Sequence, residues 1–257
     1  MAYKEYFVNT FSQALTAQTA GTLQDNNPMR IDSDADFEFN KTTFVATNDR
    51  INVRYRDDSA GRYLTKEPLD VKMIAGRNTL PMGLSNSFIP FIWPRPYVIS
   101  AGTTFTVEMG DFSNAANTLY LAFHGAKVRP GVAPWERRFR ATVPFVYSFA
   151  GGSVSIAANA TQNVTISTDI DSHFIIQKIT AIRTGPALVN VNEGSRGREW
   201  SNTAIHIDNL CGNGAFPNIL LANRFIYKGS VLNFNIQDLL GATNVINIAV
   251  AGVKLYE

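Results

Sequence analysis

The 257-residue chain has a single cysteine, Cys211, so no disulfide framework can form within it. That cysteine, in "NLCGNG", reads as a small buried apolar residue near a strand end. Charge is scarce: 17% of residues are charged and the net charge is +2, so no global field draws the chain to nucleic acid or membrane. No apolar run reaches the roughly 20 residues of a membrane span. The opening "MAYKEYFVNTF" lacks a basic stretch followed by an apolar one, so no secretion signal is expected and the chain is placed in a reducing cytoplasm. The Asn-x-Thr triplets at Asn40, Asn159 and Asn163 then read as ordinary strand and turn residues. Helical periodicity is missing too. No stretch of ten residues carries it, and "ALTAQTAG" offers a single short turn at most.

Catalytic patterns are equally sparse. His124, His173 and His206 stand alone, with no i, i+4 partner, and no C-x-x-C exists, which argues against zinc. There is no G-x-S-x-G elbow and no glycine-rich phosphate loop. No cofactor is expected, and the chain reads as a non-enzyme.

What the sequence does contain is itself, twice. "DDSAGRYL" at 57–64 answers "EGSRGREW" at 193–200. A shift of 136 places Val53, Ser59, Gly61, Arg62 and Gly76 on Val189, Ser195, Gly197, Arg198 and Gly212. A shift of 137 places Asp32, Asp34, Phe37, Lys41 and Thr47 on Asp169, Asp171, Phe174, Lys178 and Thr184. A shift of 127 places Gly102, Asp111, Asn117, Gly125 and Lys127 on Gly229, Asp238, Asn244, Gly252 and Lys254. The period, about 130 residues, is the size of a domain rather than of a solenoid unit. The reading is two copies of one fold: residues 1–130, a linker at 131–139 within "VRPGVAPWERRF", and residues 140–257. The first copy has nine more residues, set around the Pro- and Gly-rich "RNTLPMGLSNSFIPFIWPRP", which reads as a loop.

The matched segments alternate with period two. In "TTFTVEM" Phe105, Val107 and Met109 share one face, and in "SVLNFNI" Leu232, Phe234 and Ile236 do. Alternation of this kind marks half-buried antiparallel strands. Further strands are expected at 6–12, 22–31, 37–46, 51–56, 69–75 and 97–100. Their counterparts fall near 142–149, 153–168, 174–183, 187–192, 203–210 and 224–228. Seven or eight short strands per copy define an all-β protein of two tandem antiparallel sandwiches. Unit size and long central loops favour the jelly roll over the immunoglobulin type.

Three stretches are candidate sites. The repeated phrase reads as a hairpin turn with glycine at positive φ and its arginine paired to the acid, or as a ligand site shared by both halves. Asp32, Asp34 and Asp36 in "DSDAD" read as turn formers, with calcium ligation as the alternative. "PFIWPRPYV", with Phe91, Trp93, Arg95 and Tyr97, is read as a loop. It is a candidate subunit contact, peptide ligand, sugar-stacking platform or cap. Trp135, Arg137 and Arg138 in "WERRFR" join it as candidate interface residues, with packing between sandwiches or phosphate contact as their alternatives.

Two jelly-roll-sized β domains in one chain, closed by "LAFHGAKV" and "IAVAGVKL", resemble the double jelly-roll virion proteins of bacteriophages and other icosahedral viruses. The resemblance covers nearly the whole chain and rests on architecture. It implies a structural protein of a capsid, assembled in the host cytoplasm and located in the virion. Its partners would be copies of itself, as a trimer or higher symmetric assembly, and other virion proteins. Major shell proteins of that family are longer and carry inserted helices, so a minor, decorating or collar role fits this chain better. The other reading kept open is a tandem carbohydrate-binding module in a fibre or receptor-binding assembly, discriminated by glycan binding through Trp93 and Tyr97. An enzyme of cupin type would need clustered histidines.

Overall fold

The structure is a computed structural model, described here for residues 2–17, 23, 25–76, 90–134, 139–194, 196–212 and 217–257. Its first half runs β1 (Ala2–Leu15), β2 (Asp25–Arg30), β3 (Asp36–Ala46), β4 (Ile51–Asp57), β5 (Arg62–Tyr63), β6 (Leu69–Asp70), α1 (Val71–Ile74), β7 (Phe91–Ile99), β8 (Thr104–Asp111) and β9 (Asn117–Pro130). Its second half runs β10 (Ala141–Ser148), β11 (Val154–Ile156), β12 (Thr161–Ser167), β13 (His173–Arg183), β14 (Ala187–Glu193), β15 (Arg198–Glu199) and β16 (Ile205–His206). After these come α2 (Ile207–Leu210), β17 (Asn218–Ile226), β18 (Val231–Asp238) and β19 (Asn244–Tyr256).

Among the described residues, the pairings between named strands are antiparallel and make four sheets. One has the order β1-β9-β3-β7 and faces a second of order β2-β8-β4-β5, with β6 also on β4. The other two repeat the scheme as β10-β19-β13-β17 and β12-β18-β14-β15, with β11 on β19 and β16 on β14. Except at β4–β5–β6, β14–β15–β16 and β10–β11, chain neighbours land in opposite sheets, and first lies beside last, which is the double Greek key of a jelly roll, present twice.

Alternation decides which face each strand buries. Phe105, Val107 and Met109 of β8 are fully buried against Phe39, Phe123 and Tyr55 of the first core. Leu232, Phe234 and Ile236 of β18 do the same against Phe149, Ile176 and Val191. Aromatic rings meet edge to face, as Phe39 does with Phe123 at 5.1 Å between centroids.

The two halves share irregularities as well as order. In β3 the register slips between Phe39 and Lys41, and in β13 between Ile176 and Lys178, which are the positions related by 137. Each slip is a β-bulge, and a glycine faces it: Gly125 against Phe39, Gly252 against Ile176. A Cβ on either glycine would run into the carbonyl of Glu38 or Ile175, so no larger residue fits without moving backbone.

The sequence expectations need correction at several places. The segments 69–75 and 203–210 are each two strand residues followed by a single helical turn, capped by the Asp70 carboxylate and the His206 ring on the amides of Lys72 and Asp208. "PFIWPRPYV" is not a loop: Phe91–Ile99 is strand β7, with Trp93 to Pro96 bulged opposite Asn40. Prolines are tolerated there because β7 is an edge strand. Likewise β17 starts at Asn218 rather than 224, and Ala14 and Leu15 close β1 rather than open a helical turn.

Candidate functional site

The repeated phrase builds two equivalent hairpin turns. Asp57 Oδ1 accepts hydrogen bonds from the Ser59 amide (3.0 Å), the Ser59 hydroxyl (2.6 Å) and the Ala60 amide (3.1 Å). Gly61 and Gly197 sit at φ of 60° and 61°, where glycine carries no steric penalty. Burial works to raise the Asp57 pKa, but the hydrogen bonds from Ser59, Tyr97 and the turn amides prevail and hold it below the usual carboxylate value. The expected arginine–acid pairing is not direct. Arg62 Nε donates to the Tyr97 hydroxyl at 3.1 Å, and that hydroxyl donates to Asp57 Oδ2 at 2.6 Å. In the second turn Arg198 leaves its own half altogether and reaches Glu5 of β1 at 3.0 Å.

Glu5 is the centre of the seam between the sandwiches. Its side chain is 4% exposed and also pairs with Arg224 of β17 at 3.2 Å and Arg129 of β9 at 3.0 Å. Burial alone would raise its pKa; the charges of Arg224, Arg198 and Arg129 outweigh that and lower it. A cleft of about 330 Å³ opens beside this cluster. Four cations and four acids line it, and Lys127 spans Asp32 (2.7 Å) and Asp34 (3.0 Å) while Arg129 takes Asp34 at 2.9 Å. The cleft therefore neutralises itself, and no excess charge is left to attract an ionic ligand.

Further along the seam, the outer face and free edge of the β1-β9-β3-β7 sheet meet the β15–α2–β17 side of the second sandwich. The Val8 amide donates to the Trp200 carbonyl at 2.9 Å, and Val8 bridges to Ser201. Thr10 and Asn202 exchange two bonds, of 2.8 and 3.0 Å. Tyr6, Val8 and Ala122 of the first half join the apolar core of the second. Behind them lies a buried polar group. His124 lies between the Tyr6 hydroxyl (3.0 Å) and the Thr43 hydroxyl (2.8 Å), and Lys41 Nζ donates to Asn218 Oδ1. Burial pulls the Lys41 pKa down to about 7. Burial first and Lys41 second keep that of His124 well below its ordinary value.

The sequence-predicted residues are dispersed. Trp93 packs edge to face on Phe39 (5.7 Å) and tilts against Tyr55 (6.0 Å), and half-buried Phe91 packs on Trp93 at 5.5 Å. Tyr97 is held by Asp57 and Arg62, and of the four candidate residues Phe91, Trp93, Arg95 and Tyr97 only Arg95 is exposed. Trp135, Arg137 and Arg138 lie outside the described residues. Asp32 and Asp34 are taken by cations, and Asp36 accepts the Ala101 amide at 2.9 Å. Their counterpart Asp169 binds Lys254 and Tyr147. His173 meets Glu257 at 3.0 Å. Among the described residues no group of three or more His, Cys, Asp or Glu is placed to hold a metal. Glu5 and Arg224 carry no signal in the sequence, and Lys41 shows there only as a repeat match to Lys178; Arg198, inside the repeated phrase, is the signal that leads to the seam.

On a second surface, the outer face of the β10-β19-β13-β17 sheet is open. A shallow groove of about 500 Å³ runs over Pro144, Phe145, Val146, Lys178, Ala251 and Val253. Val146 is 58% exposed, and Ile182 and Ile219 on the same sheet are 77% and 58% exposed.

No family model matches the chain, and no curated protein matches it. Among solved structures it is similar to the major capsid protein P2 of bacteriophage PM2, at 14% identity and a TM-score of 0.27 over 96% of this chain and 98% of that one. It is also similar to the PBSX exported protein XepA (12%, TM-score 0.20, 94% and 86%) and to the N-glycanase PNGase F (9%, TM-score 0.20, 95% and 96%). One is a capsid protein and one an enzyme, so at this distance the likeness decides nothing about activity.

Proposed function

We propose that the chain is a non-enzymatic structural protein of a virus particle, a bacteriophage capsid or capsid-associated component of minor, decorating or collar type. It acts through subunit interfaces, as a homo-oligomer (a trimer or higher) and with other virion proteins, and is assembled in the host cytoplasm. Gene duplication accounts for its two units, 1–130 and 140–257, joined by 131–139.

The observation that carries this reading is the contrast between clefts and walls. The cleft beside Glu5 is charge-balanced and belongs to the seam, whereas the outer sheet of the second sandwich is open, with a shallow groove and with Val146, Ile182 and Ile219 exposed on it. Exposed apolar side chains grouped on one sheet face suit an association surface. The carbohydrate reading loses ground because Trp93 and Tyr97, its intended stacking platform, are engaged by Phe39, Tyr55, Asp57 and Arg62.

Electron microscopy of the purified chain tests the proposal. Symmetric rings, sheets or shells are expected. Single particles of one chain that bind glycans through Trp93, or that turn over a substrate, would replace it.

A further inference from the structure

The seam inside the chain is a docking arrangement of which the chain uses only one half. In the first sandwich, the outer face residues Tyr6, Val8, Thr43, Ala122 and His124 have no exposed surface, because the second sandwich lies on them. Registers place their equivalents in the second sandwich. Val8 pairs with His124 and Val146 with Ala251, so β1 maps onto β10 by a shift of 138. Tyr6 thus corresponds to Pro144, Val8 to Val146, Thr10 to Ser148, Thr43 to Thr180 and His124 to Ala251. Lys41 is 5% exposed, while its counterpart Lys178 is open to solvent. Strand β1 has Trp200–Ser201 along its free edge; among the described residues β10 pairs only with β19.

The complementary half is unused as well. The roof over the first sandwich consists of Trp200–Thr203, α2 and the start of β17. Its equivalents in the first sandwich are Leu64–Glu67, α1 and the start of β7. Here Met73 is 61% and Ile92 55% exposed, and Lys66 points to solvent.

We propose that the open outer face of the second sandwich binds a second copy of this chain, through that copy's β5–α1–β7 side, repeating between chains the contact made within one. This rests on the structural role proposed above and names its interface. The fit is argued from backbone: both partners have the topology of surfaces already shown to dock, down to the matched bulges at Lys41 and Lys178. Apolar exposure falls where the contact would lie, at Val146 on the face and Met73 on the side, whose counterparts Val8 and Asn209 are fully buried in the existing seam. Such a contact joins unlike surfaces, so it propagates from chain to chain until a rotation closes a ring.

Directed cross-linking tests it. Within the chain, Thr10 meets Asn202 at 2.8 Å; the positions equivalent to these are Ser148 and Lys66, both exposed. Ser148→Cys and Lys66→Cys are made separately, and the native Cys211 is buried. Mixed after dissociation and reassembly, then treated with a short bis-maleimide, the pair is expected to give a two-chain product. Each variant alone, or Ser148→Cys mixed with Val132→Cys, is expected to give none. Absence of product in material that sediments as an oligomer overturns this interface and leaves the structural role standing. Absence in material that remains a single chain overturns both.

Discussion

Glu5 Oε1 stands 3.2 Å from the guanidinium of Arg224, across the seam, with 4% and 2% of the two side chains exposed. Taking such a pair out of water is unfavourable, and what makes it tolerable is mutual compensation together with Arg198 and Arg129. Glu5→Gln leaves a buried guanidinium without its counter-charge. The expected loss is about 3–5 kcal/mol, read as a lower urea midpoint. Arg129→Ala, at the more exposed end of the cluster, should cost about 1 kcal/mol. Equal losses would show that the cluster is not centred on Arg224. The acid side follows in sign: a carboxyl held low stabilises the fold above its unfolded pKa, and that contribution disappears as pH falls through the folded value.

Lys41 predicts a second pH dependence, of opposite placement. Its folded pKa is about 7 against an ordinary 10.5, so between those values the unfolded chain binds the extra proton. Stability should therefore rise with pH from about 7 to about 10.5 and show no slope from this group below 7. Around it face His124, Tyr6, Thr43 and Asn218, and no acid in this set neutralises the ammonium. Lys41→Met, which keeps the stem and removes the charge, should flatten the melting temperature between pH 7 and 10. An unchanged slope would place the titration elsewhere.

The glycines facing the bulges give a third test. Gly125→Ala and Gly252→Ala both drive a methyl into a carbonyl of the neighbouring strand. Gly61→Ala instead meets open space and strains only its φ of 60°, for about 1–2 kcal/mol. Thermal melts should rank the first two as clearly more damaging. If all three are alike, the bulges relax freely and the shared geometry of the halves is not enforced by these residues.

Trp93 separates the structural reading from the glycan one. Its ring contacts with Phe39 and Tyr55 make Trp93→Ala a packing defect of about 3 kcal/mol. A glycan array should read the same for wild type and variant. Selective loss of sugar binding with unchanged stability would reverse the assignment.

The sequence made the strands β8 and β18 visible, because each buries one face of large side chains and so alternates with period two. The turns at Gly61 and Gly197 were legible for a related reason: only certain residues satisfy a left-handed corner. What escaped did so for physical reasons. A four-residue helix such as Val71–Ile74 is too short to display a period. Pro94 and Pro96 mask β7, since an edge strand with a wide bulge does not need the amides they lack. The seam was hidden most completely. Lys41 and Lys178 are the same residue in the same bulge, but the second sandwich lies on Lys41 while Lys178 is exposed.

Sedimentation of the purified chain over a wide concentration range addresses the central claim most directly, that its outer walls rather than a cleft carry its function. A species that is a defined multiple of 28.3 kDa, lost on Val146→Glu, is the predicted result. A wild-type chain that stays at 28.3 kDa at every concentration would contradict it.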